Sequence, residues 1–125
     1  MKYAELRDWI KFKMKMAPGY NYQPVMIITL LQNNGKATRE KIEEELKKNN
    51  PHNLPWKKTE YPFKILEQHK VCKYNESDKT YELLDFETFP DDNSKWQAVL
   101  VTKCKERMSE AKNFSKIESN SYMLI

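Results

Sequence analysis

The chain has 125 residues, a net charge of +4, and is 39% hydrophobic and 32% charged; a mean hydropathy of −0.89 marks it as polar overall, with room for one hydrophobic core and not two. Two glycines exclude a glycine-rich phosphate loop, and Cys72, Cys104, His52 and His69 lack the paired spacing of a zinc site. No apolar run approaches the roughly 20 residues that span a bilayer, and the charged start MKYAELRDWIKFKMK is no signal peptide, so the expectation is a reduced, cytoplasmic protein with no metal or other cofactor and no membrane partner.

Tyr3, Leu6, Trp9, Ile10 and Phe12 recur at roughly helical spacing and predict an amphipathic helix over 3–16, ended by Ala17-Pro18-Gly19. Pro24 opens a second helix, where its missing N–H costs nothing. Val25, Met26, Ile27, Ile28, Leu30 and Leu31 make that helix apolar nearly all round, as a central buried helix is. Asn33-Asn34-Gly35 stops it, Lys36-Ala37 reads as a short link, and Thr38 as the N-cap of a helix over 39–48. Ile42 and Leu46 form the apolar face of that helix. Residues 51–58, with two prolines, read as a loop, and a fourth helix runs to His69. Val71–Tyr74 and Thr80–Leu84 flank a polar turn, which predicts a β-hairpin. Phe86 to Asp92 reads as a linker. Trp96, Val99, Leu100, Cys104 and Met108 mark a last helix over 93–111, and residues 113–125 a polar tail. The expected core includes Val25, Ile28, Leu31, Ile42, Leu46, Ile65, Leu66 and Leu83.

This order predicts an α+β, mostly helical fold: a winged helix-turn-helix with flanking N- and C-terminal helices, one domain over 1–112 followed by the tail. The helix before the hairpin is then the recognition helix. Its surroundings offer Lys57, Lys58, Thr59, Lys64, Gln68 and Lys70, with Arg39 and Lys73 at the margin. Lys and Thr hold phosphates, and Gln reads an adenine edge. Residues 51–74 carry five basic and two acidic side chains, whereas 75–92 carry one and seven. The basic stretch suits double-stranded DNA, and the acidic hairpin tip Asn75-Glu76-Ser77-Asp78-Lys79 opposes it.

A family resemblance rests on Leu6-Arg7-Asp8-Trp9-Ile10, Met14-Lys15-Met16, Tyr22-Gln23-Pro24-Val25-Met26, Gly35-Lys36-Ala37-Thr38 with Ile42, and Pro62-Phe63-Lys64-Ile65-Leu66-Glu67-Gln68-His69. In this order, over residues 5–110, the chain resembles the winged-helix accessory domain of HNH-nuclease and helicase-like proteins of restriction or defence type. The resemblance implies a targeting module that works beside a nuclease or helicase partner. The chain departs from the pattern in its shorter loop before the fourth helix and in Phe63, where that family often has a small residue. It also lacks the His-Asn-His and zinc-cysteine residues of an HNH core.

Several residues carry a functional reading beside a structural one. Pro90-Asp91 with Glu110-Ala111-Lys112 superficially spells a PD-(D/E)xK nuclease motif, but its Glu and Lys fall on a predicted helix instead of adjacent strands. His69 suits a helix-end role, Tyr22 and Gln23 a clamp on the second helix, Trp56 either packing or base stacking, and both cysteines the core. The expected function is therefore a non-enzymatic DNA-binding module serving a restriction- or repair-type nuclease. The alternative is a protein-interaction or homodimerisation adaptor, because Trp9, Ile10, Trp96 and Leu100 give the end helices more apolar surface than a three-helix core covers.

Overall fold

The computed structural model describes residues 1–15, 22–49, 60–90 and 93–123. The fold is mostly helical with one small antiparallel sheet. In chain order it comprises α1 (Tyr3–Asp8), a π-helical turn (Trp9–Lys13), α2 (Tyr22–Gln32), β1 (Lys36–Thr38), α3 (Arg39–Lys48), α4 (Glu60–Gln68), β2 (Cys72–Asn75), β3 (Thr80–Leu83), a 3₁₀ turn (Phe86–Thr88) and α5 (Asn93–Met123).

The first helix is not one α-helix over 3–16. After Asp8 the backbone widens into the π turn, closed by Met14 N donating to Trp9 O at 2.7 Å. Leu6, Trp9, Ile10 and Met14 are buried, while Phe12, expected among the apolar contacts, falls outside their stripe and is 70% exposed.

Helix α2 is the centre of the molecule. Tyr22, Pro24, Val25, Met26, Ile27, Thr29, Leu30 and Leu31 are all buried, and α3, α4, α5, β1 and β3 all pack on it. It ends with Asn34 at φ 58° and Gly35 at φ 83°, and Gly35 N donates to Leu30 O at 2.7 Å. A Cβ on Gly35 would lie 2.8 Å from the Phe86 ring, so the position needs glycine for both φ and space.

The expected link Lys36-Ala37 is instead strand β1. It pairs antiparallel with β3, Lys36 opposite Glu82 and Thr38 opposite Thr80, giving the sheet order β1-β3-β2. Three residues are too few to show alternation in the sequence; the strand exists because β3 supplies its hydrogen bonds. Thr38 then caps α3, its Oγ1 accepting from Lys41 N at 3.1 Å. Helix α4 closes with Lys70 at φ 60°, Lys70 N donating to Glu67 O and Val71 N to Leu66 O, a Schellman ending.

Two further segments differ from the sequence reading. The linker after the hairpin is structured: Phe86 and buried Phe89 join Tyr3 and Trp96 in an edge-to-face aromatic cluster. Helix α5 runs to Met123, through most of the segment expected as a tail. Its Trp96, Leu100 and Cys104 are buried, but Val99 is 39% exposed. Of the expected core, Val25, Leu31, Ile42, Leu46, Leu66 and Leu83 are buried, whereas Ile28 and Ile65 are only half-buried.

Leu66→Ala should therefore cost about 2–5 kcal/mol and Ile28→Ala clearly less, read as shifts in urea midpoint at unchanged slope. Gly35→Ala should cost more than about 1 kcal/mol, because it strains φ and strikes Phe86; an unchanged midpoint would contradict the close approach.

Candidate nucleic-acid interface

Lys64 and Gln68 lie one turn apart on α4, so they share a face, and both are exposed. What fixes that face is the opposite side of the helix. Phe63 and Leu66 are buried, and the Phe63 ring lies 4.8 Å from that of Tyr81 on β3, which in turn lies 4.8 Å from Tyr74 on β2. Arg39 covers the stack, its guanidinium 4.6 Å from the Phe63 ring centroid while Nε pairs with Glu43 Oε1 at 3.0 Å. Arg39 thus braces α3 against α4. Lys70 follows the helix and Lys73 points outward from β2 after buried Cys72; both are exposed. Lys57, Lys58 and Thr59 lie outside the described residues, as do Trp56 and His52.

The described acids of the acidic stretch, Glu76 to Glu87, do not form one surface. Asp78, at the hairpin tip, pairs with Lys36 Nζ of β1 at 2.8 Å and accepts from Thr80 Oγ1 at 2.6 Å. The hydrogen bond from Lys36, then that from Thr80, holds the Asp78 carboxyl below its ordinary value, and the bond to Asp78 raises the Lys36 ammonium. Glu82 accepts from Asn75 Nδ2 at 3.0 Å. Asp85 and Glu87 follow β3 at the other end of the hairpin. Only Glu76 remains at the tip as an exposed acid outside these pairs, beside exposed Lys79, so the tip repels phosphate less than its composition suggests.

His69 does not cap α4; the backbone N–H groups of Lys70 and Val71 do, and the imidazole lies 5.3 Å from the Trp9 ring. Gln23 acts as the expected clamp, its Nε2 donating to Lys15 O at 3.0 Å. Burial pushes the thiols of Cys72 and Cys104 up to about 12, with the Glu67 charge adding to Cys72, so both stay protonated core residues. In the PD-(D/E)xK-like string, Glu110 sits on α5 and pairs with Arg107, and Asp91 lies outside the described residues. Among the described residues no group of three His, Cys, Asp or Glu side chains could hold a metal ion, and no helix is long and apolar enough to cross a membrane.

The surplus apolar surface of the end helices is covered within the chain: Ile10 and Leu100 are 0% exposed, Trp9 6% and Trp96 5%. Helix α5 lies along α2 and the π turn. Two of its polar side chains seal helix ends, a role not foreseen from the sequence. Gln97 Nε2 donates to Leu31 O at 2.8 Å, and Arg107 donates to Ile10 O, Lys11 O and Met14 O at 2.7, 3.0 and 2.6 Å. An arginine between Cys104 and Met108 on a packed helix was the available signal.

No family model matches the chain, and no curated protein or solved structure matches it either.

The Lys36–Asp78 pair generates a pH prediction. The lowered Asp78 value contributes stability above the ordinary 3.8 and loses it as pH falls through the folded value. The raised Lys36 value contributes below the ordinary 10.5 and loses it as pH rises through the folded value. The stability difference between wild type and Asp78→Asn should be level across the neutral range and shrink at both extremes in urea titrations. A difference independent of pH would show that the pair contributes nothing.

Proposed function

We propose that the chain is a winged-helix module that binds double-stranded DNA, acts without catalysis of its own, and serves as a targeting or accessory domain of a restriction- or repair-type nuclease. The observation that supports this most is topological. A short strand between α2 and α3 completes a sheet with the hairpin, in the order β1-β3-β2, and α4 immediately precedes that hairpin. In a winged helix-turn-helix this order makes α3 and α4 the helical pair, α4 the helix for the major groove, and β2–β3 the wing. The exposed Lys64 and Gln68 on α4, with Lys70 and Lys73 beyond it, agree with that assignment. So does the Lys36–Asp78 pair, which removes part of the wing's charge penalty. The link to a nuclease or helicase rests on the resemblance of the strings quoted above.

The adaptor reading now draws on a single feature. Helix α5 has 31 residues, about 46 Å at 1.5 Å per residue. The form that reading takes is dimerisation or partner docking through the first and last helices.

Each phosphate contact on duplex DNA contributes about −0.9 to the slope of log affinity against log salt. Lys64→Ala with Lys73→Ala should therefore flatten the slope by about 2 and weaken all sequences alike, whereas Gln68→Ala should relax sequence preference. Titration of a labelled duplex at several salt concentrations reads both. Equal slopes for wild type and the double variant would move the DNA surface off α4. A dimer with no salt-sensitive DNA signal would hand the function to the adaptor reading.

A further inference from the structure

The π turn and its exposed aromatic take no part in the α4 surface. Phe12 is the most exposed large apolar side chain described, at 70%. Lys11, Lys13 and Lys15 flank it, all exposed, and Lys11 Nζ lies 5.1 Å from the Phe12 ring centroid. Among the described residues no acid pairs with any of the three lysines. The acids of the same segment are engaged one turn earlier, Asp8 with Arg7 at 3.3 Å and Glu5 with the Lys2 N–H at 3.3 Å. On the packed side, Glu110 of α5 is held by Arg107 at 3.3 Å.

The segment is also rigidly presented. The Arg107 guanidinium binds the carbonyls of Ile10, Lys11 and Met14, and Gln23 binds that of Lys15 at 3.0 Å. Buried Ile10 and Met14 anchor it from below. Phe12 is thus held outward by its backbone, and π-helical turns occur often at functional sites.

We propose that Phe12 with Lys11, Lys13 and Lys15 forms a second nucleic-acid contact, one that takes single-stranded DNA. Phe12 offers a planar face on which one unstacked base lies, and the lysines take the phosphates on either side. Magnitudes select this occupant. One aromatic is enough for a strand, since stacking one base is worth about 1–3 kcal/mol. A membrane surface needs a wider apolar face, and here Met14 and Ile10 are buried, leaving Phe12 alone. Duplex DNA keeps its bases stacked and offers the ring no partner. The proposal is independent of α4: the strand site stands or falls whether or not α4 binds a duplex. The contact of Trp9 with His69 sets the π turn beside the C-terminal end of α4.

The test compares a labelled oligothymidylate with an abasic strand of equal length, using the full chain. Phe12→Ala should weaken oligothymidylate about tenfold or more and leave the abasic strand unchanged, and Phe12→Tyr should restore most of the loss. The combined Lys11→Ala, Lys13→Ala, Lys15→Ala variant should flatten the single-strand salt slope by about 2, at about −0.7 per contact. All four side chains are exposed, and circular dichroism with unfolding midpoints checks that the variants keep the fold. The proposal is overturned if wild type does not bind oligothymidylate, if Phe12→Ala binds it as tightly as wild type, or if the aromatic loss is the same on the abasic strand. Binding to phosphatidylserine vesicles without binding to the strand would overturn it in favour of a lipid surface. Loss of duplex binding in the Lys64, Lys73 variant with oligothymidylate binding intact would separate this site from α4.

Discussion

A helix that is apolar on nearly every side cannot stand at the edge of a small protein. Helix α2 must be enclosed, and the positions of the other elements answer that requirement. Helices α3, α4 and α5 cover it together with β1 and β3. Enclosure creates a second requirement, because the polar backbone at the end of a buried helix must find partners. Leu30 O accepts from Gly35 N, Leu31 O from Gln97, and Thr29 O from Asn33 Nδ2 at 2.7 Å. Burial and satisfaction of the chain end are thus solved together, and Gly35 is where both meet the aromatic cluster through Phe86.

Helix α5 solves the same problem for the π turn. Its stripe of Trp96, Leu100 and Cys104 supplies apolar cover, and Arg107 reaches the carbonyls left open where that turn ends. A guanidinium with its planar fork of donors suits several carbonyls at once, and the negative end of a helix favours its charge. The first and last segments of the chain are joined in this way, and the covering of Trp9, Ile10, Trp96 and Leu100 follows without a second subunit.

Pairing of the short strand β1 with β3 has an electrostatic consequence. It brings Lys36 to Asp78 across the sheet, which partly neutralises a hairpin tip that is acidic by composition. Of the other described acids of that stretch, Glu76 stays at the tip, Glu82 lies in β3, and Asp85 and Glu87 follow β3 at the opposite end. Net charge over a run of sequence therefore misstates what a surface presents when a hairpin separates the members of that run.

The sequence by itself determined the elements whose signal is local. The apolar run 24–31 marks the central helix, Asn34-Gly35 its stop and Thr38 the start of α3. The hairpin is legible from two short apolar runs about a polar turn, and Lys64 and Gln68 could be placed on one helix face. Tertiary structure decided what depends on partners distant in the chain. Strand β1 is three residues whose hydrogen bonds come from β3. The carbonyls of Ile10, Lys11 and Met14 about the π turn accept from Arg107, about a hundred residues away, and Phe12 is left exposed on that turn. The half-burial of Ile28 and Ile65 depends on which neighbours happen to cover them. Periodicity reports which face of an element is apolar; only packing decides how far that face is covered, which carbonyls need a side chain, and which charges meet.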